Sequence, residues 1–169
     1  LLRKRIRKTK KRAKRVAGFA KRSLHARKLC LTGVQPAATF GAQVQGVAPS
    51  ELELLRTMSA HTSGIVGAGR CKATSIALGH GPYKDPKIVV VINALKEWFL
   101  AWERWPAYHK RVKRVWGKLC ERLRVKRTRW ARVKGPVGMV IATLYDLNWS
   151  PTSPVEWRSP SGDLWCYEA

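Results

Sequence analysis

Acidic residues are scarce in this chain: ten Asp or Glu stand against 34 Lys or Arg, and none occurs before Glu51. Only three are aspartates, Asp85, Asp146 and Asp163, each isolated in sequence. Two-metal phosphoryl transfer needs carboxylates converging on ions about 4 Å apart, and no local pattern supplies them. The four cysteines, Cys30, Cys71, Cys120 and Cys166, form no C-x-x-C pair. Structural zinc draws ligands from close pairs, so the expectation is four reduced, mostly buried thiols in a reducing compartment. Long apolar runs are also missing. The longest, Ile88 to Ile92 and Val137 to Tyr145, fall far short of the roughly 20 residues of a membrane span, which excludes a transmembrane role. No apolar stretch follows the basic start, so no secretory signal is read, and the sequon Asn148-Trp149-Ser150 is then chance. With no initiator Met before Leu1, a piece of a longer chain is expected.

Catalytic signatures are equally thin. His25, His61, His80 and His109 are scattered, with no H-E-x-x-H or triad pattern, and His80 between Gly79 and Gly81 reads as a surface turn residue. Gly64 to Gly69 has the glycines of a phosphate loop but is followed by Arg70-Cys71 instead of Lys-Ser/Thr. The segment is expected to catalyse nothing alone, with no cofactor and no small-molecule substrate.

What is present is concentrated positive charge. Fourteen of the first 28 residues are Lys or Arg, and from Lys110 to Lys134 twelve more face only Glu121. Such blocks attract phosphate backbones and release their counterions. Solvated helix faces are the alternative, but these normally carry neutralising acids at helical spacing. A rod lying on anionic lipid would need a broader apolar face than Ile6, Val16, Phe19 and Leu24 provide. The candidate phosphate contacts are Arg12, Lys14, Arg15, Arg22, Arg27 and Lys28 from the first block, with Arg122, Arg124, Lys126, Arg127 and Arg129 from the second. Arginine can fork onto two phosphate oxygens, and such contacts position a nucleic acid without reading its sequence.

The apolar pattern predicts a mainly α fold. Ile6, Ala13, Val16, Ala17, Ala20 and Leu24 predict one helix from Arg3 to about Leu31, about 40 Å long, ended by Thr32-Gly33. Residues 34–47 predict a short small-residue helix with Pro36 in its first turn. Ser50-Glu51-Leu52-Glu53 has the form of a capping box, opening a helix to about Ala60 that buries Leu52, Leu55 and Met58 or Leu54. Loops at Gly64 to Gly69 and Leu78 to Pro82 flank a short helix from Ala73. Asp85-Pro86 is the clearest start signal. Behind it Ile88, Val91 or Ile92, Leu95, Phe99 and Trp102 predict a helix that Trp105-Pro106 breaks. The next helix presents Tyr108, Val112, Val115 or Trp116, Leu119 and Leu123, and the two should pair as an antiparallel hairpin. Trp98, Trp102 and Trp116 read as core, and Trp105 as the one candidate for base stacking. Pro136 to Leu147 predicts an apolar helix, Ser150 to Pro154 a turn-rich break, and Val155–Arg158 with Leu164–Tyr167 a small C-terminal β-hairpin.

Three stretches carry a family resemblance: Ala26-Arg27-Lys28-Leu29, Thr32-Gly33-Val34-Gln35-Pro36-Ala37-Ala38-Thr39-Phe40-Gly41 and Ser50-Glu51-Leu52-Glu53-Leu54-Leu55-Arg56. Over about residues 10–60 the chain resembles the helical thumb downstream of the catalytic palm in reverse transcriptases of non-LTR, LINE-like retrotransposons. Phe40-Gly41 replaces the commoner Tyr-Gly, Gln43 stands where an acid is usual, and the palm's Tyr/Phe-x-Asp-Asp motif does not occur. The resemblance implies a thumb-like bundle gripping template and primer (RNA, DNA or their hybrid) beside an upstream palm, where alone Mg2+ and polymerase activity are expected. It also implies an intracellular location, nuclear or in a cytoplasmic ribonucleoprotein. The expected division is a basic arm at 1–31, a thumb-like domain at 32–149 and a C-terminal segment at 150–169. A free-standing basic RNA- or DNA-binding structural protein and a Trp-rich protein-interaction module remain as alternatives.

Overall fold

The computed structural model describes residues 2–67 and 69–167. The fold is mainly helical with a small antiparallel sheet at its end, as the pattern predicts. It divides into two compact units, Leu1–Ala42 with Val47–Ile92, and Gln43–Gly46 with Asn93–Ala169. Residues 2–31 lie in the first unit and residues 150–167 in the second.

In the first unit, α1 (Leu2–Ala20) packs on α5 (Pro49–Thr62) and on α3 (Gln35–Thr39). Ile6, Thr9, Ala13 and Ala20 are buried along one stripe, with Val16 and Ala17 half-buried beside it. Thr9 is tolerated there because its Oγ1 donates back to the Arg5 and Ile6 carbonyls, at 2.6 and 3.0 Å. The core is completed by Cys30, Val34, Ala38, Leu55 and Met58. The single long helix expected to Leu31 is broken at residues 21–23, and α2 (Leu24–Leu29) restarts after an extended Ser23. At the break the Gly64 backbone, φ +73°, lies so close that a Cβ there would sit 2.5 Å from the Ala20 carbonyl oxygen. Thr32-Gly33 does not end the helix either. It lies in a π-turn (Cys30–Val34) that leads directly into α3, with Pro36 in its first turn as expected. The single helix expected over 34–47 is interrupted at Phe40-Gly41, where Gly41 has φ +80°, and α4 (Ala42–Gln45) follows.

The capping box at Ser50 does not form. α5 starts one residue earlier, with Ala48 at the N-cap and Pro49 first in the helix, and Glu53 instead bonds Arg56 at 2.7 Å and Lys72 at 2.9 Å. These two cations hold the Glu53 carboxyl below its usual range. The helix α6 (Lys72–His80) runs through Leu78 and Gly79, where a loop was expected. Gly79 faces α5, and an added Cβ would meet the Ser63 Cβ at 2.4 Å. Helix propensity alone would make Gly79→Ala stabilising by about 1 kcal/mol. The overlap reverses the sign, and chemical denaturation should show a loss of about 1–3 kcal/mol.

The helix α7 (Pro86–Arg104) is nucleated as its sequence predicts: Asp85 Oδ1 accepts the Lys87 N–H at 2.9 Å, and Arg56 holds the same carboxylate. Its fully buried positions are Pro86, Val90, Ala94 and Trp98, while Ile88 and Ile92 are exposed and Leu95, Phe99 and Trp102 are half-buried. The stripe is thus turned from the expected one.

In the second unit, a single 3-10 turn at Pro106–Tyr108 leads into α8 (His109–Leu123), and the contact with α7 is aromatic. Trp98 meets Trp116 at a centroid distance of 5.8 Å, and Trp102 stacks on His109 at 3.7 Å. Of the expected seam on α8, Trp116 and Leu123 are buried, whereas Tyr108 and Val115 are exposed. After α9 (Arg129–Arg132), α10 (Gly135–Asp146) is buried continuously from Gly138 to Thr143 and through Leu144, and packs on α8. The strands β1 (Ser150–Pro151), β2 (Glu156–Arg158) and β3 (Leu164–Cys166) pair antiparallel in chain order, Pro151 opposite Trp157 and Trp157 opposite Trp165. β2 and β3 are the expected hairpin; β1 lies within the stretch whose pattern predicts a turn-rich break. It is ordered from a distance, because buried indoles need acceptors. Trp116 Nε1 donates to the Pro151 carbonyl at 3.0 Å and Trp98 Nε1 to the Pro154 carbonyl at 2.9 Å.

Of the cysteines, Cys30 is buried and Cys120 half-buried, and burial pushes the Cys120 thiol up to about 11. Cys71 and Cys166 are exposed, so the thiols are not mostly buried. Among the described residues no helix is long and apolar enough to cross a membrane.

Candidate nucleic-acid interface

Charge is unevenly divided between the units. The first holds 19 Lys or Arg against three acids, the second 15 against seven. In the first unit the imbalance lies on α1. Because Ile6, Thr9, Ala13 and Ala20 occupy one stripe, the remaining arc must carry everything else, and it carries Arg3, Lys4, Arg7, Lys8, Lys10, Lys11, Arg12, Lys14 and Arg15, all exposed. Among the described residues the ion pairs are Arg56–Glu53, Arg56–Asp85, Lys72–Glu53 and Arg129–Asp146, and none involves α1. Arg12, Lys14 and Arg15 are thus solvent-facing cations without a carboxylate partner. So are Arg22, in the turn after α1, and Lys28 on α2. Arg27 is different: it is half-buried, lying against Gly64, where a Cβ would come within 2.8 Å of its Nε.

One flank of α1 is concave. Arg5, Lys8 and Arg12 recur at three- and four-residue spacing and border a cleft of about 500 Å³ whose other wall is Pro36, Ala37 and Phe40. Arg5 is fixed there, donating to the Phe40 carbonyl at 2.6 Å with its guanidinium carbon 4.9 Å from the Phe40 ring centre. Among the described residues Lys8 and Arg12 make no side-chain hydrogen bond, and Phe40 is 69% exposed. A cleft with exposed cations and an open aromatic face suits a phosphate and its attached base. The charge pattern alone does not set Arg5 and Lys8 apart from the other cations of α1. Their spacing from Arg12 was visible, but the wall that makes a cleft of it comes from α3.

In the second unit α8 separates its faces sharply: Trp116 and Leu123 are inward, and Lys110, Arg111, Lys113, Arg114, Lys118 and Arg122 outward. Arg124, Lys126 and Arg127 are exposed just beyond it. Arg129 is not. Only 5% exposed, it donates through Nε to the Leu123 carbonyl at 2.8 Å and through Nη2 to the Arg124 carbonyl at 3.2 Å. Its Nη1 is paired with Asp146 Oδ1, and Trp130 Nε1 donates to Oδ2 of the same carboxylate at 2.7 Å. Arg129 therefore closes the C-terminal end of α8 onto α10 and is withdrawn from the set of phosphate contacts.

The remaining polar candidates are engaged locally. Asp85 caps α7, Asp146 holds Arg129, and Asp163 accepts from Ser159 and Ser161 within the β2–β3 turn. His80 is half-buried at the end of α6, not on a surface turn. Its Nε2 lies 3.0 Å from the Ser59 carbonyl, to which it donates, and burial lowers its pKa below the usual value. No protein-family model, curated protein or solved structure matches the chain.

Proposed function

We propose that this chain grips nucleic-acid backbones, through the outer arc of α1 in the first unit and through the outer face of α8 with the Arg124–Arg127 turn in the second. The observation that carries this reading is the set of nine exposed cations on α1 with no carboxylate partner among the described residues. Holding so many like charges on one helix costs stability through mutual repulsion. A polyanion relieves that repulsion and releases its own counterions in doing so. The contacts are to phosphates, from Arg12, Lys14, Arg15, Arg22 and Lys28 with Arg5 and Lys8 added, and from Arg122, Arg124, Lys126 and Arg127. The thumb of a LINE-like reverse transcriptase, placed after an upstream palm, is the role that this grip and the resemblance over residues 10–60 support together.

Phosphate contacts do not distinguish base sequences. Two duplexes of equal length and unrelated sequence should bind with Kd values within about three-fold of each other in a fluorescence-anisotropy titration. A ratio of about 10³ or more would mark a sequence-specific reader and overturn the reading.

A further inference from the structure

The second unit contains an open groove of about 1020 Å³ beside the connection from α7 to α8. Large aromatic side chains stand at its rim uncovered: Trp105 is 54% exposed and Tyr108 58%. Both belong to the tight turn made by Pro106, in which the Tyr108 N–H donates to the Trp105 carbonyl at 3.1 Å. Behind them the Trp102 and His109 rings are stacked with 5° between their planes, and His109 Nε2 donates to the Trp102 carbonyl at 2.7 Å. The turn and the stacked pair hold the two outer rings on a fixed base, which lowers the entropy lost when something stacks on them.

Charge around the groove has both signs. Glu97, Glu103 and Arg104 line it, and the exposed Lys110 and Lys113 follow on α8. A purely apolar occupant would leave this pattern unused. We propose that the groove takes unpaired bases of a single-stranded nucleic acid, stacked on Trp105 and Tyr108, with the adjoining phosphates held by Arg104, Lys110 and Lys113. The proposal rests on the backbone-grip reading above and adds to it a site for the unpaired strand. Aromatic platforms flanked by cations are the combination that binds single strands. Glu103 already accepts from the Tyr167 hydroxyl, whereas Glu97 makes no side-chain hydrogen bond among the described residues. Both carboxylates keep phosphates away from the groove's interior, and Glu97 accepts hydrogen bonds from exocyclic amino groups, which cytosine and adenine have and thymine and uracil lack. Oligo-dC is therefore bound more tightly than oligo-dT.

The test uses the full chain and labelled oligo-dC, oligo-dT and duplex DNA of one length at one salt concentration. Trp105→Ala/Tyr108→Ala should weaken oligo-dC binding about ten-fold or more while duplex affinity stays within about two-fold. Trp105→Phe, which keeps an aromatic face, should retain most of the affinity. Undiminished oligo-dC binding by the double variant overturns the proposal, and so does tighter binding of oligo-dT by the unaltered chain. Equal losses on oligo-dC and duplex overturn it as well, since the groove would then not be specific for the unpaired strand. Failure of the unaltered chain to bind any of the three at low salt defeats the backbone-grip reading itself, an outcome distinct from a failure confined to the groove.

Discussion

Asp146→Ala is expected to cost about 3–5 kcal/mol of stability, the largest effect of any single substitution considered for this chain. The change leaves the Arg129 guanidinium, its side chain 6% exposed, inside the second unit without a counter-ion, and it removes the acceptor of the Trp130 indole. An unpaired buried charge loses its hydration and gains nothing in return. Arg129→Ala should be less severe, because Asp146 has a side-chain exposure of 24% and can recover some water. It still frees the Leu123 and Arg124 carbonyls that close α8. Chemical denaturation followed by tryptophan fluorescence measures both. Losses below about 1 kcal/mol would mean that the pair is not a structural tie. Nucleic-acid affinity of the folded Arg129→Ala variant should stay near that of the unaltered chain, which separates Arg129 from its exposed neighbours Arg124 and Arg127.

The second large effect is on binding. Lys8, Arg12 and Arg15 share one flank of α1 and are exposed, so the triple charge reversal Lys8→Glu/Arg12→Glu/Arg15→Glu leaves Ile6, Thr9 and Ala13 undisturbed beneath it. Three phosphate contacts are lost and replaced by repulsion. Duplex affinity near 0.15 M salt should fall on the order of 100-fold or more. The thermal transition should move little, since exposed like charges are being diluted by opposite ones. Unchanged affinity would remove α1 from the interface.

The arc on α1 follows from one-dimensional periodicity, because a helix that buries Ile6, Ala13 and Ala20 must expose what lies between. Asp85-Pro86 is similarly local, as its carboxylate bonds an amide two residues on. Arg129 could not be separated from Arg127 in this way. Its partner lies 17 residues along the chain, and nothing around either residue distinguishes a guanidinium that turns inward from one that turns out. The capping box at Ser50 failed for a related reason: Pro49 suits the first helical position, and Arg56 and Lys72 offer Glu53 stronger bonds than a backbone amide. β1 has no strand pattern of its own; the Trp116 indole from α8 holds its Pro151 carbonyl, and the Trp98 indole from α7 holds Pro154 in the link to β2. Local signals thus placed the helices and the basic faces. Long-range pairing decided which cations remain on those faces, and formed the cleft at Phe40.

The salt dependence of duplex binding tests the backbone grip most directly. If about six phosphates are neutralised, log Kobs plotted against log salt concentration should fall with a slope near −5, and the triple reversal should reduce that slope by about 3. A flat slope for the unaltered chain, or no binding at low salt, would contradict a grip made of unpaired cations on α1.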